Sequence, residues 1–210
     1  METTLGVFLL SAAGISLTGV MLPGPLTTAV IAKGYHRKHA GALIGAGHCI
    51  VELPLVIALY LGLSQFLGSP RVLQGIYIAG GLMLLYLGIR MFRASSRESG
   101  AAGGLPAGAL ATGAVVTATN PAFYAWWATV GVTLIAVAAE FGPRGILLLL
   151  LVHMPLDVIW NEFLSVGTYG SRRWWTPRTQ RIVFSVCSLA MIGFGVWFVV
   201  NAFLDTQGAL

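Results

Sequence analysis

Charge is what this sequence is shortest of. Asp, Glu, Lys and Arg make up 9% of its 210 residues, where an ordinary soluble domain carries about 25%. With 57% hydrophobic residues and a mean hydropathy of +0.84, the scarcity leaves little room for an aqueous domain and predicts an integral membrane protein. Cysteine is nearly absent too. Cys49 and Cys187 both lie in apolar runs, and no CxxC occurs, so the usual dithiol motif is missing. Membrane carriers of thiol–disulfide electrons need cysteines at matching places in two halves, whereas these two fall in the second and sixth apolar segments. That class is rejected. Lys and Arg outnumber Asp and Glu by twelve to seven, but they sit between apolar runs rather than on a soluble face, so no nucleic-acid partner is expected. The opening Met1-Glu2-Thr3-Thr4 is acidic rather than basic, and the apolar run behind it outlasts a signal-peptide core. It reads as the first span.

What the chain does have is six long apolar segments, which predict helices at roughly 5–33, 40–67, 71–92, 107–139, 145–169 and 181–204. Each exceeds the ~20 residues that cross a ~30 Å hydrocarbon core. Their connections are unequal in charge. Lys33, Arg37, Lys38, Arg90, Arg93, Arg97, Arg172, Arg173, Arg178 and Arg181 fall on one side, against Arg71 and Arg144 on the other. Because Lys and Arg collect in cytoplasmic loops, the bias predicts a multi-pass protein of the cell (plasma) membrane with both termini extracytoplasmic. Residues 1–93 and 107–210 would then hold three spans each, joined by a cytoplasmic linker at 94–106. Three spans per half turn the second half over relative to the first. The expected fold class is all-α: six transmembrane helices as a 3+3 inverted repeat, with the first and fourth helices broken.

The breaks are written in proline. Pro23-Gly24-Pro25 interrupts the first segment and Asn120-Pro121 the fourth. Proline removes a backbone donor and leaves a carbonyl without its intrahelical partner. In hydrocarbon such groups survive only inside protein or against a water-filled cavity. Paired breaks in corresponding helices point to a transporter's central site, so Pro23, Gly24, Pro25, Thr27, Asn120, Pro121 and Trp126 are candidate substrate-path residues. The bland reading is a pair of packing kinks. Gly75, Gly80, Gly81 and Gly88 in the third segment suggest close helix contact.

Three of the seven acidic residues lie within spans: Glu52, Asp157 and Glu162. His48 stands four residues before Glu52 and His153 four before Asp157, so each pair shares a helix face. Asn161 extends the second stripe, and Glu162 lies off it. A central carboxylate costs about 2.5–3.5 kcal/mol to insert, which the apolar run Ile146 to Val152 offsets only once. The acids must be protonated, paired or facing water. One reading makes His48, Glu52, His153, Asp157 and Asn161 a proton-coupling set. A second makes His48, Glu52, His153 and Asp157 ligands of a divalent metal. A third makes them helix-packing bonds with no transport role. The spacing alone does not separate them.

On Pro23-Gly24-Pro25, then Gly34 and Arg37 leading into Gly41 and Gly45, and Asn120-Pro121, the chain resembles the LysE family of amino-acid exporters over most of its length. The resemblance implies a secondary, proton-driven exporter, no enzyme and no cofactor, whose partners are a small-molecule substrate, protons and the lipid bilayer. It is compatible with a homo-oligomer. Many members of the family carry Asn where this chain has Leu26 and Lys where it has Ala122. The wider superfamily includes divalent-metal exporters, so a metal cation stands as the alternative cargo.

Overall fold

The computed structural model describes residues 4–21, 24–63, 70–95 and 108–204. Among the described residues the chain is helical throughout, with no strand. Thr4 caps the first helix, α1 (Leu5–Val20), its hydroxyl accepting from the Val7 N–H. The chain restarts as α2 (Pro25–His36), bent 73° from α1. Next come α3 (Ala40–Ala58), which runs on through a π-helical turn (Leu59–Leu63), and α4 (Pro70–Ser95). The second part holds α5 (Ala109–Ala118), α6 (Pro121–Trp126), a π-helical turn (Trp127–Gly131), α7 (Val132–Glu140), α8 (Gly142–Ser171), a 3-10 turn (Arg172–Trp174) and α9 (Pro177–Leu204). Pro25, Pro70, Pro121 and Pro177 each open a helix, where a missing N–H leaves no bond unmade.

The expected segment 5–33 is thus two helices, and 107–139 is three with a π-helical turn between the last two. The fifth segment is longer than 145–169 at both ends. Pro23, the tail of 40–67 beyond Leu63 and almost all of the 94–106 linker lie outside the described residues. Among the described residues four stretches are long and apolar enough to cross a membrane: Ala40–Gly62, Pro121–Glu140, Gly142–Trp174 and Pro177–Leu204. The bent pair α1–α2 makes a fifth if it counts as one span. Leu10, Leu151, Phe163 and Leu189 point outward, more than half exposed, as side chains facing lipid do.

Three apolar clusters hold the bundle together, the smallest of them Val30, Ala40, Ile44 and Ala109. Phe8, Ala12, Val56, Leu134 and Leu149 join α1, α3, α7 and α8. Ala29, Leu84, Phe184, Met191 and Phe198 join α2, α4 and α9. The most extensive helix contact is the seam between α4 and α9, and α3 lies between α5 and α8. Backbone proximity needs glycine at these crossings. A Cβ on Gly80 of α4 would stand 1.9 Å from the Thr119 carbonyl oxygen, and one on Gly41 of α3 would stand 2.0 Å from that of Asn161. Gly81 and Gly88 also meet α9, as the sequence suggested, while Gly75 faces open space.

Candidate functional site

Both helix breaks open onto one cavity of about 120 Å³. At the first, the Thr28 N–H and hydroxyl both donate to the Gly24 carbonyl, each at 3.0 Å, closing the first turn of α2. At the second, Asn120 caps α6, its side-chain oxygen accepting from the Ala122 N–H at 3.1 Å. An Asn followed by Pro suits this end: the side chain supplies an acceptor and the proline lacks the donor that would go unmet. The other walls come from α3, α8 and α9.

Between the breaks lies a buried cluster of ionisable side chains. Glu52 Oε1 faces His48 Nε2 at 3.2 Å, His153 Nε2 at 3.1 Å and the indole N–H of Trp127 at 3.2 Å. Each imidazole is held from behind by a hydroxyl. His48 Nδ1 meets Thr117 Oγ1 at 2.8 Å, and His153 Nδ1 meets Ser16 Oγ at 2.7 Å. Neutral imidazoles donating through Nε2 would accept at Nδ1 from these hydroxyls, and every bond is then satisfied. Asp157 lies further off, with Oδ1 at 3.6 Å from His48 Nε2 and Oδ2 at 3.4 Å from His153 Nε2. Glu52 Oε2 and Asp157 Oδ2 are buried without a hydrogen-bond partner. Aromatic rings hem the imidazoles in: Trp126 and Trp127 lie against His153, and Phe123 against His48.

Gly24, Pro25, Thr27, His48, Glu52, Asn120, Trp126, His153, Asp157 and Asn161 all line the cavity. Asn161 also donates to the Asp157 carbonyl at 2.7 Å. Pro121 is fully buried beside it, against Gly80, and Pro23 lies outside the described residues. Two features go beyond the sequence reading. The His–carboxylate pairs form one cluster, because Gly41 and Gly45 let α3 approach α8 until His153 reaches Glu52. Ser16 and Thr117 were not singled out as site residues, and nothing in the sequence placed Trp127 against Glu52. The π-helical turn places Trp127, and it breaks the 3.6-residue period from which a face is read. Ser16 and Thr117 are small polar residues in apolar runs and carry no motif. Glu162 stands apart from the cavity: it pairs with His39 and accepts from the Ala42 N–H at 2.8 Å, at the start of α3.

His48, Glu52 and Asp157 each offer a donor atom within 4.8 Å of the others, the one such group among the described residues. Glu52 Oε1, however, already faces three nitrogens, one of them an indole N–H that can only donate. That is the wiring of a hydrogen-bond network.

Membrane-length helices around a cavity of buried ionisable groups, with two helix breaks at its walls, define a multi-pass membrane protein of the transporter class. The chain belongs to the LysE type translocator family, whose model matches residues 17–202. This is a family of translocators and not of enzymes. The chain is similar to the "Putative amino acid efflux protein YcgF" of Bacillus subtilis (strain 168), with 24% identity over 191 residues, 88% of this chain and 90% of that protein. No solved structure matches it.

Proposed function

We propose that this chain exports small amino-acid-like metabolites in exchange for protons, as a six-span 3+3 inverted repeat of the plasma membrane with both termini extracytoplasmic. One observation carries the reading: both helix breaks and both His–carboxylate pairs line a single cavity. In this reading α4, 26 residues long, is the sixth span. The first turns of α2 and α6 present the positive end of a helix dipole to an anionic group of the substrate. His48, Glu52, His153 and Asp157 carry the proton. The similarity to an amino acid efflux protein supports the substrate class, and the aromatic and aliphatic lining supports an organic substrate over a metal ion.

Reconstitution into proteoliposomes tests this. An imposed pH gradient is expected to drive a labelled amino acid uphill, and collapsing it with a protonophore should stop accumulation. Movement indifferent to the gradient would remove the proton coupling. If none of the twenty common amino acids moves while Mn²⁺, Zn²⁺ or Ni²⁺ does, the cargo is a divalent cation.

A further inference from the structure

The sequence separates a substrate path at the helix breaks from a coupling set on two other helices, and the structure puts both in one cavity. That union has a chemical consequence, which rests on the exporter reading above. Glu52 Oε1 faces three nitrogens, but Glu52 Oε2 and Asp157 Oδ2 have no hydrogen-bond partner although their residues are 1% and 4% exposed, Asp157 Oδ2 having only the longer 3.4 Å approach of His153 Nε2. A buried unpaired carboxylate oxygen calls for a donor, ideally a charged one. Two donors fit a carrier of this kind: a proton, or the ammonium group of the substrate.

Among the described residues, the ionisable groups lining the cavity are His48 and Glu52 from α3 and His153 and Asp157 from α8. The neighbouring elements bring the Ser16 hydroxyl from α1, the Thr117 hydroxyl from α5 and the Trp127 indole. Among the described residues no Lys or Arg lines the cavity. Leu26, Ala122, Phe194 and Phe198, which belong to one apolar cluster, supply apolar lining.

We propose that the substrate's ammonium group and the coupling proton occupy the same carboxylates, Glu52 and Asp157, in turn, with the substrate's apolar side chain against Leu26, Ala122, Phe194 and Phe198. Facing the cytoplasm, the protonated cluster gives up its proton and, now ionised, accepts the ammonium. Facing outward, the ammonium leaves and a proton replaces it. That proton is released to the cytoplasm on return. The only bond made and broken is the O–H of a carboxyl group, and a proton moves inward for each amine moved outward. Exchange is enforced by competition at one site and needs no signal between two.

The test is equilibrium binding to purified wild-type protein in lipid nanodiscs. L-leucine is the first probe, chosen for its aliphatic side chain. Its deaminated analogue, 4-methylpentanoate, and its decarboxylated analogue, 3-methylbutan-1-amine, accompany it. Leucine binding should release protons and weaken by about tenfold per pH unit on acidification through the cluster's titration range, as one competing proton requires. The amine should compete with leucine and the acid should not. Asp157→Asn should lose binding at least as strongly as it loses pH-driven transport, while Glu162→Gln, outside the cavity, binds as wild type does. Proton-independent binding would overturn the shared site and leave the exporter reading intact, as would Asp157→Asn binding normally while failing to couple. Failure of all twenty amino acids to bind wild type would overturn both.

Discussion

Glu52 collects contacts from three separate elements: His48 on its own helix, His153 across the interface with α8, and the Trp127 indole from the π-helical turn. The indole lies over Gly131, where a Cβ would stand 2.1 Å from the ring. Replacing Trp127 with Phe keeps most of that ring and removes one N–H from a buried carboxylate. The expected loss is about 1.5–3 kcal/mol, in the range for hydrogen bonds to charged groups, read as a lower melting temperature in detergent together with slower export. Unchanged melting and export would reduce the indole to a space-filler. Ser16→Ala and Thr117→Val each free one imidazole from its hydroxyl. Both variants should fold and should alter the pH profile of transport, which a purely packing role would leave alone. At this scale the sequence was half legible. The i,i+4 spacing put each histidine on the face of its carboxylate, but spacing within a helix says nothing of how two helices are turned toward each other. The link from His153 to Glu52 could not be read from it.

Among elements, the breaks were legible because proline and glycine act locally, whatever the rest of the chain does. The prolines at 25 and 121 open α2 and α6 as the sequence implied. The π-helical turn at Trp127–Gly131 was not legible: no proline or glycine pair marks its start, and tertiary packing decides it. The crossing of α3 over α8 allows a paired test. Gly41→Ala drives a Cβ to 2.0 Å from the Asn161 carbonyl oxygen, and overpacking of that sort costs about 1–3 kcal/mol. Gly75→Ala on α4 meets nothing within 4 Å and replaces a poor helix former by a good one, a gain of up to about 1 kcal/mol. Thermal melting of the two variants should therefore move in opposite directions. Export should fall with Gly41→Ala, since α3 carries His48 and Glu52, and equal melting of both variants would mean the close approach is absent in the membrane.

For the molecule as a whole, the proposed orientation rests on ten Lys and Arg residues on one side against two on the other. Single cysteines in a background lacking Cys49 and Cys187 check it. An impermeant maleimide should label Arg144→Cys on intact cells and Arg173→Cys only after permeabilisation, and the reverse pattern would invert the proposed topology. What charge counting could not give is which helix lies beside which. Neighbour relations depend on shape and on glycine-sized gaps summed over the whole bundle, and hydropathy carries neither.

Those neighbour relations have a consequence for how such a chain can be made. The seam of α4 with α9, and the contacts of α3 with α5 and α8, all join residues before 96 to residues after 107. Each part is therefore held chiefly by the other, and continuity of the peptide between them adds little to the finished assembly. A gene cut within codons 96–107 and expressed as two separate messages should still yield one working complex, recoverable by a tag on either fragment. Each fragment made alone should be degraded, its inner faces uncovered.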